Sequence, residues 1–208
     1  MPKISDPQVN LKYALPPYIQ SLQAGWLAVL PSAAAVGGLL AATETSFLVF
    51  FKTPPQNPGD DFAATKASHN AILILTYIAL LFSISATFSS LVLADEFAGL
   101  PDHAARSDVP TEGNLITRDH WHALVTYGLR PAVGWLVMHW MASLIIAILA
   151  VFAQVVVFAF NAEPIVVRQV VLIAAIFALV PVLAFVMTHT MDTRRKGGYR
   201  PVAITEQS

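Results

Sequence analysis

The chain has 208 residues, of which 56% are hydrophobic and 12% charged, and its formal net charge is -1. A soluble domain would carry about twice that share of charged residues, so the composition predicts an integral membrane protein. The balanced charge indicates no nucleic-acid partner, and the lack of cysteine excludes thiol catalysis, disulfide frameworks and cysteine-ligated metals.

A polar tail and an interfacial lead-in, with Trp26 at headgroup depth, occupy residues 1–30. Residues 31–51 form the first predicted transmembrane span. As a helix this segment would measure about 31 Å, close to the roughly 30 Å hydrocarbon core of a bilayer. We expect Pro31 in the first helical turn, where its missing N–H costs little.

Glu44 is the one ionisable carboxylate inside a predicted span. A charge at that depth costs about 2–3 kcal/mol or more, so the side chain is expected to face protein or water. Two interpretations follow from this. Glu44 is either an ion or proton site, or a protonated side chain that forms hydrogen bonds between helices or reaches towards the interface.

Small residues lie on the same helix face as Glu44. This candidate helix-packing face consists of Ala33, Gly37 and Ala41, and a second ridge beside it contains Ala34, Gly38 and Ala42. Such small-xxx-small spacings let helix backbones approach closely. The contact could lie inside one subunit, or it could line a subunit interface or a pore.

An external loop at residues 52–69 leads to the second predicted span, residues 70–94, which the acidic pair Asp95 and Glu96 is expected to end. Hydroxyl side chains form a stripe along this span. Such hydroxyls either bond to their own helix four residues back or form a polar seam near Glu44 or water. The stripe consists of Thr76, Ser83, Thr87 and Ser90.

The segment that begins Ile72-Leu-Ile-Leu-Thr-Tyr and ends Ala-Asp-Glu-Phe97 contains this stripe. It is similar to the second span of small, uncharacterised four-span membrane proteins of mushroom-forming fungi. The resemblance implies a four-span fold, and it implies no activity.

A cytoplasmic loop is predicted at residues 95–130. In its second half, residues 114–129, apolar side chains recur at near-helical spacing among charged and histidine residues. This pattern predicts an amphipathic helix at the membrane surface, with Trp121 and Leu124 facing lipid or the bundle.

The third predicted span comprises residues 131–160, and a tight external turn at 161–164 connects it to the fourth span, residues 165–191. The two spans therefore form an antiparallel hairpin. Pro181 is expected to kink the fourth span, and residues 192–208 form a polar tail.

Polar residues on the third span complete a candidate intramembrane site. Gln154 lies at nearly the depth of Glu44, as does Thr76, so the three are expected to form one layer, whereas His139 lies nearer the inner side. A lone intramembrane histidine is more often a packing residue than a ligand. His139 and His189 could together ligate haem, but a second matched pair is missing. We therefore expect no cofactor and no metal site.

The orientation follows from the cationic residues. Nine of the 12 lysines and arginines fall on the side of the two termini, and the other three are Lys52, Lys66 and Arg168. This bias predicts that both termini are cytoplasmic, in either the plasma membrane or an endomembrane.

The expected fold is therefore an all-α protein with four transmembrane helices and a cytoplasmic amphipathic helix between spans two and three. The expected function is that of a non-enzymatic, channel-like or scaffolding subunit, which is partnered by the bilayer and by copies of itself or other membrane subunits. The alternative is an ion- or proton-coupled transporter that uses Glu44.

Overall fold

The computed structural model of the chain describes residues 14–53, 66–106 and 120–196, with side chains described as far as residue 184 except at 66, 182 and 183. All regular secondary structure in these ranges is α-helical. The helices are α1 (Pro17–Lys52), α2 (Lys66–Ala98), α3 (Leu100–Arg106), α4 (His120–Thr126), α5 (Ala132–Ala162) and α6 (Ile165–Lys196).

Three of these helices, α1, α2 and α5, are long and apolar enough to cross a membrane. In α6 the apolar part whose side chains are described is shorter and comprises Ile165–Pro181. The prediction of an all-helical protein associated with a membrane is confirmed at this level.

The first helix starts earlier than predicted, because the interfacial lead-in is helical as well. Pro17 takes the N-terminal position that suits a proline, and Pro31 lies inside the helix instead of in its first turn. The prediction for Pro31 was therefore wrong. With 36 residues, α1 measures about 54 Å, which exceeds the thickness of the hydrocarbon core of a bilayer.

The second helix does not end at the acidic pair. It continues through Asp95 and Glu96 to Ala98, because Leu93 and Phe97 lie on one face and are both fully buried. Packing of this face therefore extends the helix past the two charges, while Asp95 stays exposed.

The turn between α5 and α6 is shorter than predicted, because residues 161 and 162 are still helical. Glu163 caps α5 through its backbone N–H, which donates to the Ala159 carbonyl at 3.0 Å. The Arg168 side chain then donates from Nε to the Glu163 carbonyl at 2.6 Å, which ties the start of α6 to the end of α5.

The second helix is the centre of the bundle and packs along both α1 and α5, whereas α6 packs against α5. Eight buried positions of α2 recur at alternating intervals of four and three residues, and each is at most 1% exposed. Because most of these side chains are small, the neighbouring helices can approach closely. This α2 seam consists of Ile72, Thr76, Ala79, Ser83, Ala86, Ser90, Leu93 and Phe97.

The largest buried cluster lies at the end of the bundle where α1 and α5 begin and α2 ends. Here α3 and α4 cover the helix ends, and Leu100 of α3 and Leu124 of α4 are almost fully buried. Helix α4 ends in a Schellman motif, in which Gly128 has a φ of 98° and Leu129 N–H donates to the Leu124 carbonyl at 3.1 Å.

Of the helix predicted at 114–129, His120–Thr126 is helical and residues 127–129 are not, while residues 114–119 lie outside the described part. Leu124 faces the bundle, and Trp121 packs against the same cluster. The short helix α3 was not predicted, although the buried pair Leu100 and Ala104 has the spacing of one helical turn.

Candidate functional site

Glu44 lies on the face of α1 that packs into the bundle, together with Leu30, Ala34 and Gly37. Its side chain is 0% exposed. Neither carboxyl oxygen has a hydrogen-bond partner among the described residues. The site therefore holds a buried acidic group whose hydrogen-bonding capacity is unused.

Gln154 of α5 is the polar neighbour of this carboxyl group. It is 1% exposed and lies on the buried face of α5 with Ser143, Ala147 and Ala150. Its side-chain amide interacts with Glu44, although the contact lacks the geometry of a hydrogen bond, and its own carbonyl Oε1 has no partner. The structure thus brings together two of the three residues predicted to share a layer.

Thr76, the third predicted member of the layer, is fully buried in the α2 seam. Its hydroxyl donates to the Ile72 carbonyl of its own helix at 2.8 Å. Thr87 and Ser90 donate in the same way to Ser83 and Ala86, at 2.9 Å each. Most hydroxyls of the stripe therefore donate to carbonyl groups of α2 itself. This agrees with the first interpretation from the sequence, in which the hydroxyls bond to their own helix.

Ser83 differs from the rest of the stripe, because its buried hydroxyl has no described partner. Ser143 of α5 is in the same state. The register set by the contact of Ser85 with His139 puts these two serines at a similar level between the antiparallel helices. The sequence did not predict this second group of buried polar side chains. Serine is common in helices, and whether a serine hydroxyl has a hydrogen-bond partner is visible only in the structure.

His139 belongs to a different region. It lies 15 residues before Gln154 on α5, which corresponds to about 22 Å along the helix. Its Nε2 is 3.0 Å from the Ser85 hydroxyl, and its ring stacks on Trp135 with centroids 5.4 Å apart. His139 therefore links α5 to α2. The side chain of His189, which was considered with His139 as a haem ligand, lies outside the described part.

The predicted helix-packing face and the second ridge beside it differ at their two adjacent glycines. Gly37 is buried, and a Cβ atom placed there would lie 2.5 Å from Thr87 Oγ1 and 3.2 Å from the Ser83 carbonyl of α2. Ala33 and Ala41 are partly buried on the same side. Gly38 is exposed, and a Cβ atom there would meet nothing within 4 Å. The chain thus packs one glycine against α2 and leaves the other free.

A groove of about 510 Å³ lies between the C-terminal parts of α1 and α5. Phe51 and Phe158 face each other across it, with ring centroids 5.8 Å apart. Four of its lining side chains are phenylalanines, and Gln154 is its buried polar member. We call this site the phenylalanine groove; it is lined by Ser46, Phe47, Phe50, Phe51, Gln154, Val155 and Phe158.

The phenylalanine groove was missed from the sequence, because phenylalanine is an ordinary residue of a transmembrane helix. The sequence did place Glu44 and Gln154 at equal depth. The groove appears only when α1 and α5 come together at their ends. Within the described residues, no group of three or more histidine, aspartate or glutamate side chains could hold a metal ion.

No protein-family model matches the chain, and neither a curated protein nor a solved structure matches it. The similarity of residues 72–97 to fungal four-span proteins therefore stays an expectation from the sequence.

Proposed function

We propose that the protein is a non-enzymatic four-span membrane protein, with both termini in the cytoplasm, that acts as a scaffolding or channel-like subunit of an oligomer. Helix α6 supplies the fourth span. It turns back from α5 at Glu163 and Pro164 and stays helical to Lys196. Its 32 residues measure about 48 Å as a helix, which is enough to return across a bilayer.

The distribution of cations supports this orientation. Lys52, at the end of α1, and Arg168, near the start of α6, belong to the end of the bundle with few cations. Arg106 and Arg130 belong to the opposite end, with α3 and α4. The more cationic end is expected to face the cytoplasm. Reporter tags at each terminus test this: accessibility of either tag from outside intact cells would contradict it.

The proposal of an oligomer is based on an exposed face of α1. Gly38, Ala42 and Ser46 are spaced four residues apart and all are exposed, and we call them the α1 ridge. The Ser46 hydroxyl donates to the Ala42 carbonyl at 3.1 Å, so the α1 ridge presents no unused donor to a partner. A ridge of this kind lets a helix of another subunit approach closely.

The interior of the helical bundle is better suited to a scaffolding role than to an open pore. The hydroxyls of Thr76, Thr87 and Ser90 are used within α2, and Glu44 is enclosed by protein. These side chains leave no continuous polar lining in the described bundle. The subunit therefore contributes its outer surface to assembly, and any conducting path would lie between subunits.

Association through the α1 ridge is tested by Gly38→Leu, measured as the oligomer distribution in analytical ultracentrifugation of detergent-solubilised protein. We expect the dissociation constant to rise by about tenfold or more, because the leucine side chain holds the helices apart. Gly25→Leu is the matched control, since Gly25 is an exposed glycine of α1 with nothing within 4 Å of its Cβ position. An equal effect of the two substitutions would contradict the assignment.

Glu44 has no hydrogen-bond partner among the described residues, and this favours one alternative function, an ion- or proton-coupled transporter. A buried acidic group that no protein donor satisfies is a site at which a proton or cation can exchange. In liposomes, Glu44→Gln should then abolish ion or proton flux while the oligomer still forms. Equal flux in both proteins would remove Glu44 from any transport mechanism.

A further inference from the structure

Helix α6 has the least buried surface of the four long helices. Among its residues 165–181, Ala175 is the one buried side chain, on the face that packs against α5. The opposite face carries bulky apolar side chains at alternating intervals of four and three residues, the spacing at which one helix packs along another. We call this face the α6 stripe; it consists of Val166, Val170, Ile173, Phe177 and Val180, which are 54–79% exposed.

The phenylalanine groove lies at the depth of the first turns of this stripe. Phe51 of α1 and Phe158 of α5 face each other across the groove, so the two residues share a level. Because the chain turns back into α6 at residues 163–164, α6 returns to that level near residue 169. Val170 and Ile173 therefore lie at the depth of the groove. No described residue of α6 lines the groove in the same chain, so its apolar wall is open to side chains of another helix.

Deeper in the membrane, the α6 stripe is bulky where the α1 ridge is small. Counting along both helices from the shared level puts Phe177 about as deep as Ala42 of the α1 ridge. Phe177 is 79% exposed, whereas a Cβ atom placed at Gly38 would meet nothing within 4 Å. Small residues let a neighbouring helix approach closely, and van der Waals packing of this kind drives helix association in lipid. The two surfaces are therefore complementary in size at matching depths.

The charged residues at the same end of the bundle also complement each other. Lys52 ends α1 and is exposed, and Glu163 lies in the turn that leads into α6. Glu163 is about 6 Å beyond the level of Lys52, a distance that a lysine side chain spans. Arg168 donates to the backbone carbonyl of Glu163, and the Glu163 carboxylate forms no ion pair among the described residues. Lys52, which lies over the Tyr77 ring of its own chain, can pair with this carboxylate in a neighbouring subunit and fix the register.

We propose that α6 of one subunit packs against α1 and α5 of a second copy of the chain, with the α6 stripe seated in the phenylalanine groove and along the α1 ridge. The proposal rests on the oligomer proposed above and names the two surfaces that meet in it. Because these surfaces differ, the contact is head-to-tail, and its repetition about an axis normal to the membrane closes a ring. A symmetric contact between two α1 ridges would instead leave the α6 stripe and the groove to lipid.

Disulfide trapping tests this pairing, because the chain contains no cysteine of its own. Val155→Cys in the groove and Ile173→Cys on the α6 stripe are introduced into separate, differently tagged chains, which are co-expressed in one membrane. A disulfide then forms only between chains, and only where two Cα atoms approach within about 7 Å. After oxidation we expect a mixed dimer at a yield about fivefold or more above that of either variant with itself, because a head-to-tail contact brings different surfaces together.

Val180→Cys is the matched control for Ile173→Cys. Val180 is exposed on the same stripe but lies about 10 Å deeper along α6, so it should form no disulfide with Val155→Cys. A second measurement uses analytical ultracentrifugation. Phe177→Ala should raise the dissociation constant of the oligomer by about tenfold, whereas Phe88→Ala, which truncates a phenylalanine exposed on α2, should leave it unchanged.

The outcomes separate this pairing from the proposed oligomer. Equal yields with Val180→Cys and Ile173→Cys would reveal random collisions and overturn the pairing. A self-disulfide of Ala42→Cys at a higher yield than the mixed dimer would place α1 against α1 and overturn it as well. If the mixed disulfide is absent while Gly38→Leu weakens assembly, the oligomer stands and the role of α6 in it is wrong. If neither Gly38→Leu nor Phe177→Ala changes assembly, the proposed oligomer is itself refuted.

Discussion

The two ends of the helical bundle differ in how they bury their side chains. At the end that α3 and α4 cover, large groups interlock: Phe97 stacks on Trp26 with centroids 5.2 Å apart, and Gln23 donates to the Phe97 carbonyl at 2.7 Å. At the other end, Glu44 and Gln154 are buried with unused oxygens beside a groove of about 510 Å³.

The covered end also contains buried polar atoms without a described partner, Glu96 Oε2 and Trp140 Nε1, but apolar side chains dominate it. The contrast therefore assigns different roles to the two ends. Interlocked aromatic and aliphatic side chains stabilise a fold, whereas buried polar groups without partners destabilise it and tend to persist where a function requires them. The covered end is therefore expected to carry the stability of the bundle, and the end with Glu44 and Gln154 is expected to contain polar groups that lower it. Phe97→Ala tests the first expectation, and Glu44→Leu tests the second.

The largest effect is expected for Phe97→Ala at the covered end. Phe97 is 0% exposed, so its truncation leaves a cavity and should lower the free energy of unfolding by about 3–5 kcal/mol. Phe88→Ala is the control on the same helix, because Phe88 is 65% exposed and its truncation should change stability by less than about 0.5 kcal/mol. Reversible unfolding in mixed micelles measures both, and similar losses would contradict the role of the covered end.

The next effect separates the two adjacent glycines of α1. Gly37→Ala would put a methyl group 2.5 Å from Thr87 Oγ1, and the required shift should cost about 1–3 kcal/mol of unfolding free energy. Gly38→Ala meets nothing within 4 Å and should instead stabilise the helix by about 0.5–1 kcal/mol. The two variants therefore change stability in opposite directions.

A double variant identifies the cause of the Gly37 effect. Thr87→Ala removes Oγ1, so Gly37→Ala should be better tolerated in that background. The recovery should be partial, because the Ser83 backbone carbonyl remains 3.2 Å from the added methyl group. If Thr87→Ala leaves the effect of Gly37→Ala unchanged, the close approach of α1 to α2 does not depend on this contact.

The sequence predicts the long helices well and their ends poorly. A span needs about 20 apolar residues, and this requirement is visible in α1, α2 and α5. Helix ends outside the hydrocarbon core do not need to be apolar, because water and lipid headgroups can form hydrogen bonds with polar side chains there. For this reason the start of α1 at Pro17 and the continuation of α2 past Glu96 were not predicted.

The candidate site was predictable only in part, for a related reason. Depth along a helix can be counted from the sequence, so Glu44 and Gln154 were placed at one level. Which side chains then touch depends on helix rotation, and the sequence left open whether Thr76 would turn to Glu44 or bond to its own helix. The phenylalanine groove depends on how two helices converge, which hydropathy does not encode.

The third prediction concerns the end with the unused oxygens. Glu44→Leu replaces two buried acceptors that have no partner among the described residues, so the free energy of unfolding should rise by roughly 1–2 kcal/mol. A rise in stability is the behaviour of a residue that the fold tolerates at a cost. A loss of stability would instead show that Glu44 has a partner and helps to hold the helices together.

The smallest effect is expected for the ion pair at the covered end. Arg130 donates from a terminal guanidinium nitrogen to Glu96 Oε1 at 3.2 Å, and the two side chains are 65% and 20% exposed. An ion pair that is this accessible to water contributes little to stability. Arg130→Gln should therefore lower the free energy of unfolding by about 0.5 kcal/mol. Salt should reduce this difference, because the screening length falls to about 3 Å at 1 M ionic strength.

A double-mutant cycle with Glu96→Gln separates the pair from other effects of the substitution. Glu96 Oε2 is buried and has no described partner, so Arg130→Gln leaves a partly buried carboxylate with both oxygens unpaired. If the loss came from that desolvated carboxylate, it would exceed about 1 kcal/mol, resist salt and disappear in the Glu96→Gln background. A small, salt-sensitive coupling would instead show that the covered end is held by its apolar contacts, with the ion pair contributing little.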